Sequence, residues 1–152
     1  YFDPDVMGPV IFSSMDNAEA LLFGRRTWQG MAAAWPERAG DPYADRMNAI
    51  PKYVITSTPL GGEWANARGV SGPLAEIVEE VKAHTDGDVG VHASITLAQG
   101  LLAAGLVDEL CLAVGRVLDP VGPRLFEGLP DRVELSLLEA APTSSGSARR
   151  ST

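Results

Sequence analysis

The sequence predicts an α/β fold with a largely parallel sheet, and three observations predict it. Short apolar, β-branched stretches alternate with stretches whose apolar residues recur at helical spacing, from Ala20 onward. Two of the strand-like stretches run through a tight turn straight into a helix start, at Gly24-Arg25-Arg26-Thr27 and at Ala93-Ser94-Ile95-Thr96. Of 152 residues, 45% are hydrophobic and 21% charged, enough to bury a sizeable core in one domain spanning residues 1–152.

Taken in order, the chain opens with Asp3 and Pro4, a cap followed by a first-turn proline, so a helix is expected there, interrupted at Gly8-Pro9. Ala20 to Phe23 reads as a strand. Gly24 allows a sharp turn and close approach of a ligand, and Thr27 is placed to cap a helix reaching Ala34. Trp28, Met31 and Trp35 recur at helical spacing and read as core packing rather than a stacking surface. Asp41-Pro42 repeats the cap-then-proline start for a short helix to about Asn48. Lys52 to Thr58 is the next strand, and its end places the hydroxyls of Thr56, Ser57 and Thr58 where open sheets bind ligands. Those hydroxyls serve equally well to satisfy a turn backbone.

Residues 59–72 read as a loop with a short strand near Val70. Pro73 opens a helix with Leu74, Ile77, Val78 and Val81 on one face and Glu76, Glu79, Glu80 and Lys82 on a solvated face. Asp88 to His92 is a short strand, Ser94 is the natural N-cap of a helix carrying Leu97, Leu101 and Leu102, and Gly105 ends that helix. A strand follows Asp108-Glu109, whose adjacent side chains point to opposite faces and do not form a shared catalytic pair. An alternating strand is expected from Val133 to Ala140, and the polar end, TSSGSARRST, is expected to fray.

Twenty acidic against twelve basic residues, a net charge of -8, argue against a nucleic-acid or anionic-membrane partner. An anionic ligand must therefore be held by local donors. The single cysteine, Cys111, excludes an internal disulfide, and its apolar surroundings read as those of a small buried hydrophobe. His84 and His92 have no neighbours at metal-ligand spacing, so no metal is expected. No apolar run approaches the roughly 18 residues of a membrane span, and no leader-like segment opens the chain, so a cytoplasmic protein is expected.

The first junction has the chemistry of a phosphate site. Arg25 and Arg26 offer planar, bidentate donors, and the helix start beside them offers free N–H groups and a positive dipole end. The Ala93-to-Thr96 turn offers a second helix start of the same kind. Neither junction alone separates a ligand site from a solvated loop.

Together the motifs carry a resemblance. Gly24-Arg25-Arg26-Thr27-Trp28, the strand ending Thr56-Ser57-Thr58, the Val91-to-Thr96 turn, the segment Leu101 to Leu110 and Arg124-Leu125-Phe126 resemble, in order and spacing, the dihydrofolate-reductase-like superfamily. They are most similar to stand-alone relatives of the C-terminal reductase domain of bacterial riboflavin-biosynthesis deaminase/reductases. The resemblance implies a three-layer fold, a mostly parallel central sheet flanked by helices, with the family's N-terminal strand missing ahead of Tyr1. It implies NADPH as cofactor. Arg25 or Arg26, with Gly24 and Thr27, would hold phosphate, including the 2′-phosphate, and Thr56, Ser57 and Thr58 would face the adenosine ribose. The backbone of Ala93, Ser94, Ile95 and Thr96 would cradle the pyrophosphate, Ala93 standing where the family usually has glycine. The implied reaction is hydride transfer to a small heterocyclic or C=N or C=O substrate, in a homodimer, with no residue assigned as catalytic. The alternative is a non-redox nucleotide-binding or repurposed protein on the same scaffold.

Overall fold

Strand β1 (Ala18–Gly24) is buried on both faces, which its nearly unbroken apolar sequence AEALLFG requires. Successive side chains alternate between the faces, so Leu21 and Phe23 enter one core and Ala20 and Leu22 the other. β1 pairs in parallel with β2 (Lys52–Ile55) on one side and β4 (Asp88–Gly90) on the other, and β2 pairs in parallel with β3 (Ala67–Val70). The sheet order is therefore β3-β2-β1-β4. The computed structural model describes residues 15–38, 40–62, 64–114, 118–142 and 148–151. The helix expected at Asp3-Pro4 lies outside them.

Helices cover both faces, giving the expected α/β class with three layers. α1 (Arg25–Ala32) and α2 (Pro42–Ala49) pack Trp28, Ala32 and Met47 against Leu21, Phe23 and Val54. α3 (Leu74–Ala83) and α4 (Ile95–Ala103) pack Ile77, Val81, Leu97 and Leu101 against Ala20, Leu22 and Tyr53. Met31 and Trp35 lie at the rim of the first core, as their spacing requires. The Asp41 carboxylate accepts from the N–H groups of Tyr43 and Ala44 at 2.9 and 3.1 Å, the cap its sequence announces, worth about 1 kcal/mol. At the end of α4, Gly105 adopts φ 66°, and the Leu106 and Gly105 amides close back on the carbonyls of Leu101 and Leu102. A left-handed glycine thus ends the helix as expected.

Two features of the sheet had no signature in the pattern. Lys52, on β2, is 1% exposed, and its Nζ donates to the carbonyls of Asn48, Ile50 and Ala65. Glu19, the second residue of β1, accepts the Asp86 and Gly87 amides on its Oε2 and fixes the turn into β4. A side chain at Gly87 would meet the Asn17 carbonyl at 2.7 Å, so glycine is required there.

The C-terminal third departs from expectation. β5 (Cys111–Val114) leaves the parallel sheet and joins β6 (Glu139–Pro142) and β7 (Ala148–Ser151) in an antiparallel sheet of order β5-β7-β6. The strand expected over Val133 to Ala140 begins only at Glu139: Val133 and Leu135 line a hollow with Leu102 and Leu110 but stay exposed, as does Leu137, so the alternation gains too little burial to form a strand. The end expected to fray contains β7, the central strand of that sheet. Cys111 is exposed, not buried, since its strand stands outside the doubly covered sheet. No described helix is long and apolar enough to cross a membrane.

Candidate functional site

The carboxyl ends of β1, β2 and β3 open on one hollow of about 580 Å³, lined by Arg25, Ile55, Thr56, Ser57, Thr58, Ser71 and Gly72. That volume lies in the range of small-ligand sites. β2 ends at Ile55, three residues short of the expected Thr58, so Thr56, Ser57 and Thr58 form the turn that leaves the sheet.

Arg25 is seated in that turn. Its Nη1 donates to Thr56 Oγ1 at 2.7 Å, to the Thr58 carbonyl at 3.1 Å and to the Thr58 hydroxyl. Thr56 Oγ1 also accepts the Thr58 amide at 3.2 Å, so both readings of these hydroxyls hold at once: they satisfy the turn and they position a cation at the hollow. Among the described residues, neither Nε nor Nη2 of Arg25 has an acceptor, and Arg26 is exposed and without a partner. Two guanidinium groups thus stand beside the start of α1 with donors to spare.

The local geometry corrects two expectations about this junction. Helix α1 starts at Arg25, with Gly24 at the cap position and no side-chain cap bond, so Thr27 sits inside the first turn and caps nothing. The apolar β1 ladder runs to Gly24, which leaves no non-helical residue between strand and helix for a later cap. Gly24 has φ -73° and ψ 150°, an extended conformation open to any residue, and a Cβ there would meet only Ser94 Oγ at 3.8 Å. The turn does not demand glycine; the space above it is simply open.

At the second junction Ser94 occupies the cap position of α4 but does not cap it. Its backbone is left-handed, φ 44° and ψ 54°, and its Oγ accepts the Gly24 N–H at 3.2 Å instead. Ala93 is also left-handed, φ 57°, the conformation glycine adopts most easily. Ser94 is buried, whereas Ala93, Ile95 and Thr96 are exposed at the helix start. The two junctions are therefore neighbours in space, joined by one hydrogen bond.

His92 leaves β4 beside this turn, and burial lowers its pKa, favouring the neutral imidazole. His84 Nδ1 lies 2.7 Å from the Glu80 carbonyl, at the end of α3. Neither histidine lines the hollow. Ser71 and Gly72 do, in a stretch whose composition is that of an ordinary loop. The signal was their place directly after Val70, at another strand's carboxyl end.

Residues 11–148 match the family model of the RibD C-terminal domain. The chain belongs to that family. The uncharacterized protein YyaP of Bacillus subtilis is 26% identical over 150 residues, 95% of this chain and 77% of its own length. A Shewanella protein named for riboflavin biosynthesis has the same fold, with TM-score 0.74 and 19% identity over 92% of this chain and 76% of its own. RibD of Acinetobacter baumannii superposes with TM-score 0.58 and 18% identity over 88% of this chain and 46% of its own, and a pyrimidine reductase-like protein of Corynebacterium diphtheriae with TM-score 0.54 and 12% identity over 88% and 75%. The RibD C-terminal domain family is thus the family that the order of the motifs resembled. Its membership makes this a reductase-like protein.

Proposed function

We propose that this RibD C-terminal domain protein is an NADPH-dependent reductase of a small heterocycle or of a C=N or C=O bond, working in the cytoplasm as a homodimer of one-domain chains. The observation that carries this reading is the Arg25 guanidinium held by Thr56 and Thr58 at the edge of the 580 Å³ hollow, followed in the chain by Arg26, which has no partner among the described residues. The donor set fits the group. Two arginines with free N–H groups suit a phosphate monoester, which accepts charge-assisted, bidentate hydrogen bonds. Ser57, Ser71 and the backbone of Gly72 offer neutral hydrogen-bonding groups suited to a ribose. The uncapped starts of α1 and α4 supply N–H groups for a pyrophosphate.

In this reading Arg25 or Arg26, with Thr27, binds the 2′-phosphate, Thr56, Ser57 and Thr58 face the adenosine ribose, and the Ala93-to-Thr96 backbone holds the pyrophosphate. NADPH, when bound, supplies a hydride, while the chain orients it and excludes water. Dimerisation is supported by exposed Leu135 and Leu138, which share a hollow with Leu102, Val107 and Leu110, an apolar surface of the kind proteins cover by association.

Titration calorimetry with NADPH and with NADH tests the proposal. A well-placed charge-assisted bond is worth about 1.5–3 kcal/mol, more than the 1.4 kcal/mol that a decade of affinity requires. NADPH is expected to bind at least tenfold more tightly. Equal affinities, or no binding of either, would contradict the reading.

A further inference from the structure

One hydroxyl joins the two helix starts, and it does so at the point where the strand order reverses. From β1 the chain lays β2 and β3 to one side, then crosses to place β4 on the other. Ligands of open α/β sheets take the crevice outside the carboxyl ends at that reversal. Across it, between the last residue of β1 and the residue before α4, the Gly24 N–H donates to Ser94 Oγ.

Ser94 gives up its ordinary role to make this bond. A serine before a helix normally accepts from an amide two or three residues on. Here it makes no cap bond, and it is held, with Ala93, in a left-handed backbone that L side chains rarely adopt. Its burial leaves the hydroxyl little freedom to swing elsewhere. Both helix starts are left without a side-chain cap.

We propose that Ser94 is a positioning residue for the dinucleotide. By tying Gly24 to the start of α4, it fixes the separation of two uncapped helix starts, so a ligand reaching from the Arg25–Thr58 corner across the reversal meets both already set. Without the tie, the two junctions must be ordered when the ligand binds, and affinity falls accordingly. The inference rests on the NADPH reading above and adds the device that spaces its two halves.

Two variants separate positioning from folding. Ser94→Ala and Ser94→Gly both remove the acceptor, but glycine also relieves the left-handed backbone, so the glycine variant should melt above the alanine one. Each is titrated with NADPH and with adenosine 2′-monophosphate, which lacks the pyrophosphate and reaches only the corner at Thr56–Thr58. Both variants are expected to bind NADPH roughly three- to tenfold more weakly than the parent, the weight of one neutral hydrogen bond, and the monophosphate as the parent does. The proposal is overturned by unchanged NADPH affinity in either variant, by affinity that follows melting temperature, or by equal losses for the two ligands. A parent that binds neither ligand overturns the nucleotide reading itself, before any variant is compared.

Discussion

The Lys52 ammonium lies 4.5 Å from the centroid of the Trp64 ring and donates to three backbone carbonyls, those of Asn48, Ile50 and Ala65. These bonds tie the end of α2 to the loop that precedes β3. Trp64 completes the arrangement by donating its own Nε1–H to Asn48 Oδ1 at 2.7 Å. The buried lysine is thus a structural bolt behind β2, on the strand whose far end forms the hollow.

Replacing it with an apolar side chain of similar length should leave three carbonyls short of a donor. Lys52→Met is expected to lower the unfolding free energy by about 2–4 kcal/mol, because orphaned buried acceptors lose their full desolvation cost. Urea denaturation followed by tryptophan fluorescence measures it. A variant as stable as the parent would show that the ammonium merely tolerates its site.

The same residue gives stability a pH dependence. Burial pushes the Lys52 ammonium down to about 8 from 10.5, so between those values the unfolded chain binds the proton more tightly than the folded one. Stability then rises as pH increases from about 8 to 10.5, relative to its value below 8. Burial raises Tyr43 to about 12 from 10.0, which acts in the opposite direction above pH 10. Parent and Lys52→Met denaturation curves at pH 7, 8, 9 and 10 isolate the lysine: their difference should widen as pH rises above about 8, and a constant difference would contradict the assignment.

Assembly is tested separately. Multi-angle light scattering at micromolar concentration is expected to give twice the 16.1 kDa chain mass. A monomer would mean that Leu135 and Leu138 stay in contact with water.

The parallel half of the fold was legible because local signals there agree with tertiary structure. Asp41-Pro42 caps a helix, Gly105 ends one, and the Leu74, Ile77, Val78, Val81 face is the face that packs. The C-terminal third was not, because alternation such as Val133, Leu135, Leu137 forms a strand only where another element buries one side. At the site, the residue types were readable but their partners were not. Thr27 and Ser94 have good capping side chains, yet one sits a turn position too late and the other spends its hydroxyl on Gly24, 70 residues away in sequence. A contact of that range has no periodicity to announce it.

The two arginines should divide their work. Arg26, exposed and without a partner among the described residues, can be replaced with a change in stability of no more than about 0.5 kcal/mol, whereas Arg25→Ala should also loosen the Thr56-to-Thr58 turn it holds. Limited proteolysis of the two single variants compares them. Faster cleavage near Thr58 is expected for Arg25→Ala alone, and identical patterns would mean that the turn holds itself.

The most direct measurement of the central claim is the ratio of NADPH to NADH affinity in the parent and in the Arg25→Ala/Arg26→Ala double variant, by calorimetry on samples whose folded state is checked by circular dichroism. A 2′-phosphate gripped by these guanidinium groups predicts a ratio of at least ten in the parent that collapses toward one in the folded double variant. A ratio that survives the loss of both arginines would contradict the account.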